Sequence, residues 1–289
     1  MLAWLDTIIQ GILLGGLYAL YAAGLSLIFG IMRLVNLAHG DLIVFAAFLI
    51  LAVAQALGID TLLAFAIALP LMFAAGFGLQ TFLLNRTLGG DILPPLLVTF
   101  GLSIVIQNGL LEAFSADTRR LPIGGLADIS VPLGGGIAAG VMPLFNLAAA
   151  IAVILALNFL FYRTALGRAF RATSDDSETA QLMGINNGRI YATAMGLALA
   201  VCAIAAFFLG SRATFDPTVG PARLIYAFEA VIIGGLGSLW GTLAGGIVVG
   251  IAQTVGARIN PEWQILAGHV AFLVVLVLRP RGFFPRAVD

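Results

Sequence analysis

The sequence predicts an all-α, polytopic membrane fold, on three observations. Of 289 residues, 61% are hydrophobic and only 10% charged, which leaves too few polar side chains to cover a soluble surface of that size. The mean hydropathy is +1.08. Apolar stretches of about 20 residues, the length a helix needs to cross a bilayer, recur along the chain, with charges gathered between them.

In order, spans are expected at Ile8 to Phe29, Leu37 to Leu57, Leu62 to Leu84, Leu96 to Phe114, Ile137 to Tyr162, Ile190 to Gly210 and Gln264 to Leu278. The opening "MLAWLD" carries no Arg, and the apolar run after it has the length of a span rather than of a signal-peptide core, so it is expected to be a retained helix. An eighth apolar region, Ile225 to Ala257, is too long and too interrupted for one helix. Its centre reads "GGLGSLWGTLAGG", and such backbone is tolerated at membrane depth only where protein or a cavity satisfies it. About eight segments are therefore expected, with a broken or re-entrant region near the C-terminus.

Arginine in short loops sets the orientation. Arg163, Arg168, Arg171 and Arg189 border or lie in one polar island, and Arg279, Arg281 and Arg286 close the chain. Both regions are expected in the cytoplasm. Counting back puts Arg33 and Arg86 inside and the N-terminus in the periplasm. Arg119, Arg120, Arg212, Arg223 and Arg258 break the pattern. An even number of crossings must join the island to the C-terminus, so Ile225 to Ala257 must enter and return, or cross twice.

Several chemistries are excluded. Basic and acidic residues balance at 14 each, so no basic field attracts nucleic acid. There is no Lys in the sequence, which removes both a Walker A phosphate loop and a Schiff base. Cys202 is the single cysteine; it forms no intrachain disulfide and reads as a small buried hydrophobe. Glycines four apart, namely Gly11 and Gly15, Gly136 and Gly140, Gly237 with Gly241 and Gly245, and Gly246 and Gly250, suit close helix contact, either within the chain or with a partner.

The island, "FRATSDDSETAQLMGINNGR" from Phe170 to Arg189, is expected to hold a short helix. Asp175 is placed as its N-cap with Glu178 three residues on, and Gly184 as its stop before Ile185. Ala180, Met183 and Gly184 would share a small, partly apolar face. Either the loop is merely solvated, or that face docks in a groove.

Here a resemblance enters. "LGRAFRATSDDSETAQLMGINNGRIYA" resembles the cytoplasmic coupling loop of ATP-binding-cassette importer permeases, and "ETAQLMG" keeps the spacing of their Glu-Ala-Ala, three residues, Gly motif, with Thr179 as the middle residue. "GLYALYAAGLSLIFGIMRLVNLAHGDLIVFAAF", "EAVIIGGLGSLWGTLAGGIVVG" and "LVLRPRGFFPR" are similar, in order, to the branched-chain amino acid permease family. The resemblance implies one transmembrane permease domain over residues 1–289 with a coupling loop at 163–189. It implies that Asp175, Asp176, Glu178, Ala180, Met183 and Gly184 engage an ATPase. It further implies an inner-membrane importer of branched-chain amino acids, or related small amides or carboxylates, without catalytic residues or bound cofactor. ATP and Mg would be used by two partner ATPase subunits, beside a second permease, homologous or identical, and a periplasmic binding protein.

Other polar residues inside the spans are candidates for the pathway. "NLAHGD" places Asn36, His39 and Asp41 at the start of the second span, as a capping cluster or near a gate; one His and one Asp do not make a metal site. Glu229 opens the glycine-rich region, where Gly234, Gly235 and Gly237 would let half-helices aim their amide ends at an anionic group. Glu112 is expected to be solvated, and His269 to be a structural contact. A secondary carrier driven by a proton or sodium gradient is the competing class, although the halves show no repeat. A membrane enzyme lacks a nucleophile with a base.

Overall fold

The structure, a computed structural model, describes residues 2–88, 93–127, 129–134 and 136–284. Arg286 lies outside them. The chain forms α1 (Leu2–Met32), α2 (His39–Leu57), α3 (Thr61–Phe82), α4 (Leu93–Phe114), a hairpin of β1 (Ser130–Gly134) and β2 (Ile137–Gly140), α5 (Val141–Arg163), α6 (Ala165–Asp175), α7 (Ser177–Leu182), α8 (Asn187–Arg212), α9 (Gly220–Gly234), α10 (Leu239–Ile259) and α11 (Trp263–Leu278). Among the described residues, 7 helices are long and apolar enough to cross a membrane: α1, α2, α3, α4, α5, α8 and α10.

Burial sorts these helices into two shells. The most apolar windows of α1 and α8 are 83% and 78% buried within the chain, against 22%, 17% and 28% for α3, α4 and α5. All five sequences are apolar on every side, because lipid and protein interior are equally dry.

Glycine sets how closely the inner helices pack. A Cβ at Gly15 would lie 2.5 Å from the Ile247 Cα, and one at Gly250 would lie 2.3 Å from the Gly11 carbonyl oxygen, so α1 and α10 cross backbone to backbone. A Cβ at Gly245 would lie 2.0 Å from the Ala230 carbonyl oxygen, and one at Gly234 2.2 Å from Gly241, which closes α9 against α10. Of the two readings of the spaced glycines, Gly11, Gly15, Gly241, Gly245, Gly246 and Gly250 follow the first, contact within this chain.

Two boundaries differ from the sequence reading. The span expected from Ile137 begins at Val141, because residues 137–140 pair with β1 in an antiparallel hairpin; glycine on both sides favours the turn over a helix. α2 begins inside the bundle rather than at its edge: the His39 ring meets the Tyr21 carbonyl, near the middle of the 31-residue α1. Residues 33–38 must then fold back along α1. The glycine-rich region is two helices with a break at 235–238, where Gly235 and Gly237 have φ of 104° and 79°. α9, at 15 residues, is about 22 Å long, short of the roughly 30 Å hydrocarbon layer.

The C-terminal segment seals that break. Phe283 and Phe284 donate their amides to the Ile233 and Gly234 carbonyls at 2.9 and 3.0 Å, satisfying acceptors left open where α9 stops. Replacing Gly15 by Leu should force α1 from α10 and cost upward of about 1–3 kcal/mol. The check is the yield and thermal midpoint of purified protein; a wild-type midpoint would mean the contact is not required.

Candidate functional site

The polar island folds as two helices, and each has a cap. Thr164 accepts from the Gly167 amide at 3.1 Å to open α6. Asp176, rather than Asp175, opens α7: its Oδ1 accepts from the Glu178 and Thr179 amides, both at 3.0 Å, and its Oδ2 from the Thr179 hydroxyl at 2.6 Å. The carboxyl is held below the usual carboxylate range, first by the Thr179 hydroxyl and then by the Thr179 amide. Asp175 ends α6 as an exposed residue instead. The sequence offered two adjacent Asp residues, and only the backbone turn between the helices decides between them.

Gly184 is the stop. Its φ is 87°, its amide donates to Gln181 and the Ile185 amide donates to Ala180, both at 3.0 Å. This pair of bonds closes a helix C-terminus in the left-handed manner that glycine favours. The docking face is corrected: Ala180 is 4% exposed and turned into the protein, whereas Leu182 and Met183 are 87% and 80% exposed. In a six-residue helix the side toward the bundle takes the small residue, and the large apolar pair is left outside.

The loop is fastened to the bundle at several points. Phe170 is fully buried and packs on Phe161 with ring centroids 5.5 Å apart. Arg171 donates to the Phe161 carbonyl and lies over the Tyr162 ring. Ser174 donates to the Gly30 carbonyl of α1 at 2.8 Å, and Asn187 at the start of α8 donates to the Ser177 carbonyl at 2.6 Å. Gly30 in turn faces the helix break, where its Cβ would stand 3.3 Å from the Gly237 Cα. A cleft of about 370 Å³ opens there, lined by Ser26, Gly30, Asn158, Tyr162, Gly237 and Trp240 among others.

A second set of polar groups is buried deeper. Asn36, His39 and Asp41 are at most 1% exposed. Asn36 accepts from the Ala38 amide at 3.0 Å. His39 donates through Nε2 to the Tyr21 carbonyl at 2.8 Å, which fixes that nitrogen as the protonated one; the Cys202 thiol is 3.8 Å away. Asp41 accepts from the Ser103 hydroxyl at 2.6 Å. The backbone of α9 begins against the same carboxylate, since a Cβ at Gly220 would lie 2.0 Å from its Oδ1. Two helix N-termini, the positive ends of α2 and α9, thus meet at an acid.

Glu229 is 3% exposed and pairs with His269 of α11. Tyr226 stacks on His269 and lies 4.9 Å from Tyr18, whose hydroxyl donates to Gln253 at 2.5 Å. The sequence named Glu229 and His269 separately and missed that they meet. It also missed Tyr226, Ser103, whose partner Asp41 is 62 positions away, and the pair Tyr18 and Gln253, 235 positions apart. Glu112 is exposed. No group of three metal-ligating side chains occurs among the described residues.

Residues 7–278 match the family model described as the branched-chain amino acid transport system / permease component. The chain belongs to this family. It is 29% identical to the high-affinity branched-chain amino acid transport system permease protein BraD of Pseudomonas aeruginosa, over 98% of this chain and 96% of that protein. It is also 29% identical to LivH of Escherichia coli, over 99% and 96%. A solved complex, PsaBC from Streptococcus pneumoniae with a Fab, includes a chain that superposes with a TM-score of 0.50 at 15% identity, covering 97% of each chain; that likeness concerns the fold alone. The permease is a multi-pass inner-membrane protein. It is a transport component rather than a catalytic enzyme.

Two outcomes follow from these contacts. Ser103→Ala removes the donor from a buried carboxylate and should cost about 1–3 kcal/mol, read as a lower thermal midpoint in detergent. Because the Asp176 carboxyl is depressed in the folded protein, its cap is complete above the free-Asp value of about 3.9 and is lost as pH falls through its own, lower value. Hydrogen exchange at the Glu178 and Thr179 amides should stay slow from neutral pH to about 4 and quicken below it; exchange independent of pH, once corrected for the intrinsic rate, would show that the carboxylate does not hold the turn.

Proposed function

We propose that this permease forms the translocation path of an ATP-driven importer for branched-chain amino acids or related small amides and carboxylates. The α6–α7 loop is its contact with a cytoplasmic ATPase. The observation that carries the reading is α7 itself: six residues with both ends capped, two large apolar side chains turned outward, and a direct bond from the helix to α8. A helix that short is unstable alone in water, so its order comes from what it is fastened to, and its exposed Leu182 and Met183 suit an apolar groove.

Closure of two ATPase subunits around ATP and Mg would push on α7. The Ser177–Asn187 bond would carry that displacement to α8, and the Ser174–Gly30 bond would carry it to α1. Gly30 faces Gly237 at the break between α9 and α10, so the same displacement reaches the cleft at that end of the path. The loop end is taken as cytoplasmic, because Arg163, Arg168, Arg171 and Arg189 border it and residues 279–284 return to it. The N-terminus is then periplasmic. The chain itself binds no cofactor, and its lack of Lys agrees with energy supplied from outside. A second permease, homologous or identical, and a periplasmic binding protein complete the importer.

The test is purification of the membrane complex with its ATPase, comparing the wild type with Leu182→Asp and Met183→Asp. Both positions are exposed, so the fold should change by no more than about 0.5 kcal/mol, while the ATPase dissociates or its hydrolysis no longer responds to loaded binding protein. A purified chain that alone moves leucine down an ion gradient would instead establish the secondary carrier.

A further inference from the structure

Two of the arginines that break the charge pattern of the loops are neighbours, Arg119 and Arg120, and the fold places them at the end of the bundle opposite the α6–α7 loop. α8 gives the measure. Its 26 residues run about 39 Å, from Asn187, which donates to the Ser177 carbonyl of α7, to Arg212. The segment that carries the pair is strapped to the far end of that helix. Arg119 and Phe215 exchange amide-to-carbonyl bonds at 2.7 and 2.8 Å, and the Leu121 amide donates to the Gly210 carbonyl at 2.9 Å. Phe215 is fully buried and meets the Phe48 ring edge to face at 5.0 Å, while Thr61 at the start of α3 donates to the Pro122 carbonyl. Main-chain bonds and a buried ring thus hold this backbone in place.

The two side chains line an open cleft of about 520 Å³ with Gln55 and Leu121. Arg120 is exposed and donates to the Ser211 carbonyl at 3.2 Å. The Arg119 side chain is 41% exposed and reaches Asp117, itself 72% exposed, at 3.4 Å; its Nε is buried without a partner. Among the described residues no other carboxylate lies within 4.0 Å of either guanidinium. The acids that flank the strap are engaged by their own turns: Asp60 accepts from the Leu62 amide at 2.7 Å, and Asp216 from the Thr218 amide at 2.8 Å. A guanidinium offers five donors in a planar fork, so most of the capacity of this pair is unused within the chain. A rigidly mounted basic pair on an outer face is the complement of a carboxylate presented by another molecule. Ser211, which Arg120 holds, ends the same helix that Asn187 ties to α7, so a protein seated on the pair rests on the helix that leads to the ATPase contact.

We propose that Arg119 and Arg120 form a docking point for an acidic side chain of the extracytoplasmic binding protein. This rests on the importer reading and adds the place on this chain where that partner lands. Charges at an exposed rim act mainly by steering the encounter, so their effect is read in the association rate and its dependence on salt.

The test uses the assembled transporter with its ATPases, in nanodiscs, and as probe a branched-chain amino acid binding protein of the same organism, purified and loaded with leucine. Its association rate is measured at increasing ionic strength. The wild-type rate should fall as salt rises. Arg119→Glu and Arg120→Glu should each slow association about tenfold or more at low salt, and should converge on the wild type at about 1 M salt, where the screening length is about 3 Å. Basal ATP hydrolysis and the thermal midpoint should stay unchanged, and Arg120→Lys, which keeps the charge, should retain most of the rate. The salt dependence of the wild type, together with Arg119→Gln and Arg120→Gln, decides the matter if the charge reversals fail to assemble. Wild-type association in the variants, or a wild-type rate independent of salt, overturns the docking point. So does a cleft that serves lipid: variants that associate normally but lose a response of ATP hydrolysis to anionic lipid in the nanodisc. A wild-type complex that neither binds the loaded protein nor hydrolyses ATP faster in its presence overturns the importer reading, and the docking point with it.

Discussion

The backbone contact between α1 and α10 is the constraint on which the rest of this permease depends. Water does not drive helices together inside a membrane; close van der Waals packing and interhelical hydrogen bonds do. Gly11 and Gly15 on one side and Gly246 and Gly250 on the other remove the Cβ at the points of closest approach. Their contact makes α1 an interior helix, and the polar groups it carries, Tyr18, Tyr21 and Ser26, are buried as a consequence. The same device repeated at Ala230, Gly234, Gly241 and Gly245 folds α9 onto α10 and puts the helix break beside Gly30.

The break shows why irregular backbone survives at this depth. Four groups converge on it: the end of α9, the start of α10, the returning C-terminal segment and α1. The Phe283 and Phe284 amides take up the carbonyls that α9 leaves open, while Ser238 caps α10 through the Gly241 amide at 3.1 Å. No lipid-facing orphan remains at those positions, which is the condition for a broken helix in a membrane. The α6–α7 loop is bonded to α1 at Gly30, the residue that faces the break.

Buried polar groups set where α2 begins. Asn36, His39 and Asp41 have partners within the chain, at the Ala38 amide, the Tyr21 carbonyl and the Ser103 hydroxyl, and they hold α2 where it starts inside the bundle.

The sequence by itself determined the membrane class, most of the span positions, the presence of a break in the glycine-rich region and a short capped helix at 175–184. Each of these is local: a run of apolar residues, a glycine cluster, or a cap within three residues of the group it satisfies. Family membership was legible for the same reason, since its motifs are contiguous. Only the tertiary structure decided that α1 and α8 are interior while α3, α4 and α5 face outward, because lipid and core select the same side chains and leave no periodicity to read. It alone showed that Asp176 rather than Asp175 caps α7, and that Leu182 rather than Ala180 faces outward with Met183. It alone joined Glu229 to His269 and Tyr18 to Gln253, because these neighbours are set by helix packing across long stretches of chain, and spacing in the sequence carries no record of it.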